Sequence, residues 1–326
     1  MPFFRALALL FAVSVVVVAQ PRQRLNPVIE LLEQGKPVFG VYAPSAFPPG
    51  GRRGMPPPQD APVKQPGELA KEALAYQPSD FLFNGSMEGG VDRGLPAFAA
   101  FMKATAEAGA LTKTPSLRLP HPLIIKTSKI ADDTPTKVSD NISRQLNLGT
   151  SGIMFVEAES ADEVRTGLAA MRFKAYGGTR SDDVGDAPAY WGMTTAEYKQ
   201  RADLWPLNPN GELINWTIVE SKEGLAHVRE IAAVKGIGVL WPGAGTLRQV
   251  FSTMNATGER VLDQAGWENA IQQVLAACKE FKVPCGFPAT SADIELRMKQ
   301  GFSVFVMNWG EAGFKAVDIG RRAAGR

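Results

Sequence analysis

Glu220 ends the apolar run INWTIVE at Ile214–Glu220. A carboxylate at the end of a buried strand can hold a divalent cation or take up a proton. Arg118 stands near the end of another run, SLRLP. A guanidinium there suits a substrate carboxylate or a developing oxyanion, through paired N–H donors. Pro242-Gly243-Ala244-Gly245-Thr246 follows GIGVLW, and its small residues let backbone N–H groups approach an anion closely. Glu157 and Glu159 follow GIMFV, while Asn84, Ser86 and Glu88 follow DFLFN. His121 directly follows Pro120 beside SLRL and is the histidine with a candidate functional role. His227 lies inside a helical pattern and reads as a surface or packing residue. No G-x-G-x-x-G, P-loop, H-E-x-x-H or G-x-S-x-G stands at a supporting position, so dinucleotide, nucleotide and serine-hydrolase readings fall away.

Positioning such residues is the work of the apolar runs themselves. Eight candidate strands occur: Pro37–Tyr42, Asp80–Asn84, Pro115–Leu119, Gly152–Val156, Ile214–Glu220, Gly236–Trp241, Val283–Phe287 and Ser303–Asn308. Most are continuously apolar, as parallel strands covered on both faces are. Amphipathic helical stretches follow them, including Lys137–Leu146, Ala161–Met171, Lys222–Val234 and Trp267–Phe281. Asn26 caps a first helix that has Pro27 at its start. Eight strands, each followed by a helix, predict an α/β fold of the (β/α)8 TIM-barrel type, with long loops at the C-terminal face where such barrels work. Residues 44–66 form a Pro/Gly-rich loop, and residues 177–213, with Tyr190, Trp191 and Trp205, are a candidate lid.

The 326-residue chain carries 35 Lys and Arg against 33 Asp and Glu, a net charge of +2. That balance excludes a strongly basic nucleic-acid binder. Residues 1–19 read as a signal peptide: Arg5, then the apolar run Ala6–Val18, then small residues before Gln20. The run is short for a stable membrane span. Residues 20–326 are then a single exported domain, periplasmic or secreted. Cys278 and Cys285 are expected as two buried thiols, with a bridge across the helix-to-strand turn as the alternative.

Longer segments resemble the HpcH/HpaI aldolase/citrate lyase family over most of residues 26–322. NPVIELLEQGKPVFGVY resembles its first helix and strand, and GTSGIMFVEAESADEV its fourth-strand segment. INWTIVESKEGLAHVREIAAVKGIGVLWPGAGTL resembles, without a gap, the stretch that ends in the family's G-P-x-D-L; QGFSVFVMNW resembles its last strand. The resemblance implies a metal-dependent carbon–carbon lyase, an aldehyde-lyase that stabilises the enolate of a pyruvate-type 2-oxo acid with Mg or Mn. It implies Glu220 as the metal-ligand glutamate, Arg118 as the third-strand arginine, and Gly243, Ala244, Gly245 and Thr246 as the carboxylate-binding turn. Thr246 occupies the place of the family's second metal ligand, an aspartate, and Asn84–Glu88 lacks the family's Asp and His. The expected site is therefore rebuilt, with Glu157 or Glu159 as replacement ligand and Glu88 or His121 moving protons. A 2-oxo acid and an aldehyde are the expected partners, and a homo-oligomer is possible. The alternative is a degenerate barrel that binds an organic acid or partner without turnover.

Overall fold

The computed structural model describes residues 23–46 and 63–326. The signal peptide expected at residues 1–19 and most of the loop expected at 44–66 lie outside the described residues. Strands follow in order as β1 (Val38–Tyr42), β2 (Leu82–Asn84), β3 (Leu123–Lys126), β4 (Gly152–Phe155), β5 (Leu204–Trp205) and β6 (Leu213–Val219). They continue as β7 (Val239–Pro242), β8 (Ser252–Met254), β9 (Arg260–Leu262), β10 (Gly286–Pro288) and β11 (Val304–Met307).

Nine strands form one parallel sheet in the order β10-β11-β1-β2-β3-β4-β6-β5, with β7 also paired to β6; β8 and β9 make a separate hairpin. β7 approaches the residues just before β10, where the Leu240 N–H donates to the Pro284 carbonyl at 2.9 Å and Leu240 bridges Cys285 in parallel. The fold is thus mixed α/β, with a curled, barrel-like parallel sheet and helices between most consecutive strands.

Side-chain alternation along each strand divides the core in two. One set points inside the curl, where Trp216 stacks between Phe83 and Trp241 at ring-centroid distances of 5.9 and 5.5 Å. The other set, including Phe39, Ile125, Phe155 and Phe305, packs under the helices. Gly286 makes the interior possible, since a Cβ there would lie 1.7 Å from the Trp241 ring.

Four expectations are corrected. The third strand is Leu123–Lys126, not Pro115–Leu119. Arg118 instead closes a small antiparallel bridge with Thr112 before the strand begins, because Pro120 and Pro122 interrupt the run. The helix expected over Lys222–Val234 divides at His227 into Lys222–Ala226 and Val228–Ala232. Cys278 and Cys285 form a disulfide, with Cα atoms 5.7 Å apart. The helix Gln264–Phe281 ends on Lys282 in the left-handed region, which turns the chain back beside Cys278. The segment expected as a lid folds into the helices Ala187–Tyr190 and Thr195–Arg201, with Trp191 and Tyr198 fully buried. Its strand β5 pairs with the start of β6, at the end of the sheet away from the strand C-termini.

Candidate active site at the strand C-termini

Two adjoining cavities open where the strands end, and Glu220, Thr246 and Gln249 line both. The inner one, about 290 Å³, has an apolar floor of Phe83, Met154, Ile218, Trp241 and Val306. Lys126, Glu220 and Thr246 supply its polar wall. The outer one, about 710 Å³, is edged by Glu88, Arg93, Lys129 and Glu157.

Glu220 directly follows β6 and is 3 % exposed. Its Oε1 accepts the Glu157 N–H at 3.2 Å. To present that N–H, Glu157 takes a positive φ of 47°, a conformation that costs a non-glycine residue about 1 kcal/mol or more. Behind Glu220, Gly243 leaves no room for a side chain: a Cβ there would lie 2.2 Å from the Glu220 Cβ and 2.6 Å from its Oε2. Ala244, Gly245 and Thr246 begin the next helix, so their first-turn N–H groups have no carbonyl of that helix to bind.

Lys126 is the terminal residue of β3, and its Nζ lies 3.0 Å from Glu88 Oε1, with only 11 % of the lysine side chain exposed. On the rim, Lys129 Nζ lies 2.8 Å from Glu159 Oε2 and 3.9 Å from Glu157 Oε2. The Lys129 hydrogen bond, joined by one from Ser221, holds the Glu159 carboxyl below the usual carboxylate range. Burial pushes the neighbouring Glu163 carboxyl up, although it accepts the Glu159 N–H at 2.9 Å.

Glu88, Glu157, Glu220 and the turn Gly243, Ala244, Gly245, Thr246 are therefore brought together. Arg118 and His121 are not. Arg118 pairs with Glu30 at 2.7 Å, beside the helix Pro27–Glu33 that precedes β1, at the end where the strands begin. His121 is buried there too, with Nδ1 3.0 Å from the Ser79 carbonyl, and burial pushes its pKa down. The residue that sequence reasoning missed is Lys126. Its signal was the short apolar run LIIK ending on a cation, placed between prolines and a polar stretch.

The donor set does not fit a dedicated divalent-metal site. Among the described residues Glu220 is the one carboxylate on the inner cavity, and its Oε1 is already engaged by an amide hydrogen. Thr246 offers a hydroxyl where a second carboxylate would be needed, and the Glu157 carboxylate is on the Lys129 side. Mg²⁺ and Mn²⁺ favour carboxylate oxygens, and the Lys126 ammonium on the same cavity opposes a further cation.

The chain matches the family model for HpcH/HpaI aldolase/citrate lyase over residues 103–304, more than half its length. A search of curated proteins finds no match. Among solved structures, an HpcH/HpaI aldolase/citrate lyase family protein from Burkholderia cenocepacia J2315 is similar at 20% identity and a TM-score of 0.62, covering 91% of this chain and 97% of its own. Macrophomate synthase is similar at 17% identity and a TM-score of 0.57, covering 92% and 88%. The protein CitE from Mycobacterium tuberculosis, in complex with magnesium and acetate, is similar at 15% identity and a TM-score of 0.50, covering 90% and 92%. At these identities the structural likeness speaks for the fold. By the extent of the sequence match, the chain belongs to the HpcH/HpaI aldolase/citrate lyase family.

Proposed function

We propose that this protein is a carbon–carbon lyase for a small 2-oxo acid, working on a (β/α)8 barrel closed through the Leu240–Cys285 contact. Slow hydrogen exchange at the Leu240 amide, matching the other strands, checks the closure; rapid exchange would argue for an open sheet. The observation that carries the reading is the convergence of Lys126, Glu220 and the Gly243–Thr246 turn on one small cavity with an aromatic floor.

Breaking the bond between the carbon next to a 2-oxo group and the one beyond it leaves an electron pair that the oxo group takes up as an enolate, so positive charge is needed at its oxygen. Lys126 is the cation at hand. The first-turn N–H groups of Ala244, Gly245 and Thr246 offer hydrogen bonds to the substrate carboxylate. Glu88 and Glu220 are the groups available to move protons, because among the described residues no histidine lines either cavity. The floor of Phe83, Met154 and Trp241 excludes water from the carbon that becomes nucleophilic and accepts an apolar aldehyde side chain.

The same lack of a cavity histidine favours a second reading, in which the site binds an organic acid without turnover. Incubating the purified chain with pyruvate and a panel of aldehydes, with and without EDTA, separates the two. Lyase action gives a new hydroxy-acid product whose rate EDTA leaves unchanged. Stabilisation by pyruvate with no product from any aldehyde would leave only the binding reading.

A further inference from the structure

Two features of the mouth depart together from a metal–enolate site: the place of the second carboxylate is held by Thr246, and the cation ending β3 is a lysine. A guanidinium keeps its protons under all ordinary conditions, whereas an ammonium can give one up and become a nucleophile. Lys126 is placed where such a nucleophile could meet a substrate carbonyl. Its side chain is largely buried on a cavity floored by Phe83, Met154 and Trp241 and passes 3.8 Å from the position a Cβ on Gly85 would take. A carboxylate able to accept the proton, Glu88, lies 3.0 Å away at the boundary with the outer cavity.

We propose that Lys126 forms an imine with the 2-oxo group of the substrate, so that this family member carries out its carbon–carbon chemistry through a covalent amine intermediate. The proposal rests on the lyase reading above for its substrate class. In the first step the ammonium passes a proton to Glu88 and the free amine adds to the 2-oxo carbon, giving a carbinolamine. Glu88 then returns the proton to the departing hydroxyl, one water leaves, and the carbon–nitrogen double bond forms as an iminium. Glu88 then takes the proton of the hydroxyl two carbons from the imine carbon. The bond between the two carbons beyond the imine carbon breaks, the aldehyde leaves and the electron pair passes to the nitrogen as an enamine. Glu88 returns the proton to the enamine carbon, which restores the iminium. No oxidant, reductant or further co-reactant is consumed, and the final hydrolysis regenerates Lys126.

The test uses the full purified chain, pyruvate and sodium cyanoborohydride, read by intact mass and peptide mapping, with EDTA present throughout. The expected result is one reduced pyruvate adduct per chain, located on the peptide containing Lys126. Lys126→Arg, which keeps a cation against Glu88, loses the adduct completely while keeping its melting temperature. Glu88→Gln slows adduct formation roughly 100-fold. An adduct on Lys129 in place of Lys126, or no adduct at all, overturns the imine. Turnover without an adduct overturns the imine and leaves the lyase reading standing. An adduct without turnover of any aldehyde keeps the imine and removes the lyase reading.

Discussion

The two ends of the curled sheet both carry charged side chains and place them differently. Where the strands begin, four ion-paired groups tie elements of the chain together. Arg24 bonds Glu33 and the Gly211 carbonyl, and Arg201 reaches the fully buried Glu212 at 2.9 Å. Arg172 grips Asp203 through two bonds of 2.6 and 3.0 Å, and Asp80 takes both Arg321 and Arg326. Where the strands end, Glu220 receives a single amide hydrogen from a backbone strained to deliver it, and Lys126 and Glu88 face two cavities. The first arrangement fastens the N-terminal helix, the 203–213 segment and the C-terminal helix to the sheet. The second leaves polar atoms exposed to a ligand, which is how barrels divide stability from chemistry.

Substitutions at the two ends should therefore fail in different ways. The largest effect is expected for Gly243→Ala, whose methyl group would occupy the space of the Glu220 side chain. Turnover should fall about 100-fold or more through misplacement of that carboxylate, and the melting temperature should fall as well, because the methyl overlaps the Glu220 Cβ. A variant with near wild-type turnover would show that Glu220 has no part in the site. Next comes Asp203→Asn at the closed end, costing about 2 kcal/mol in urea unfolding at neutral pH through the lost charged hydrogen bonds.

The Asp203 effect also has a pH signature. Burial alone would raise this carboxyl, but Arg172, the Leu204 N–H and Asn208 together hold it below its ordinary value. Its contribution is present above the unfolded pKa of about 4 and is lost as pH falls through the lower folded value. The wild-type chain should therefore lose stability in that acid range more steeply than Asp203→Asn, and parallel acid curves would refute the pairing. The smallest effect is expected for Arg118→Ala, up to about 1 kcal/mol with unchanged turnover, since its partner Glu30 is partly solvated. Loss of turnover there would mean that the two ends are coupled.

The contrast between Arg118 and Lys126 also measures how much of the site could be read in advance. Both lie at the edge of short apolar runs five residues or so apart, PSLRL and LIIK. Composition ranks them alike, and the bidentate guanidinium looked better suited to an anion. Only pairing decides between them: Leu123–Lys126 carries register partners on β2 and β4, whereas Arg118 pairs back onto Thr112. Once β3 moves, Arg118 and His121, which lead into it, belong to the opposite end of the sheet. Glu220 escaped this error because β6 is seven residues long and fully buried, which leaves little freedom in where it stops. The disulfide follows the same rule, since its geometry depends on how sharply Lys282 turns the chain.

Residue order by itself determined the alternation of buried strands and amphipathic helices, the carboxylate closing β6, and the glycine-bearing turn after β7. These are local consequences of apolar spacing and of which side chains a tight turn tolerates. Tertiary structure alone decided which cation shares a cavity with Glu220, that Glu157 contributes an amide hydrogen in place of a ligand oxygen, and that Trp191 and Tyr198 of the Tyr176–Leu213 segment are buried. Each depends on the register of strands distant in the chain, and a shift of a few residues carries a side chain from one end of the sheet to the other.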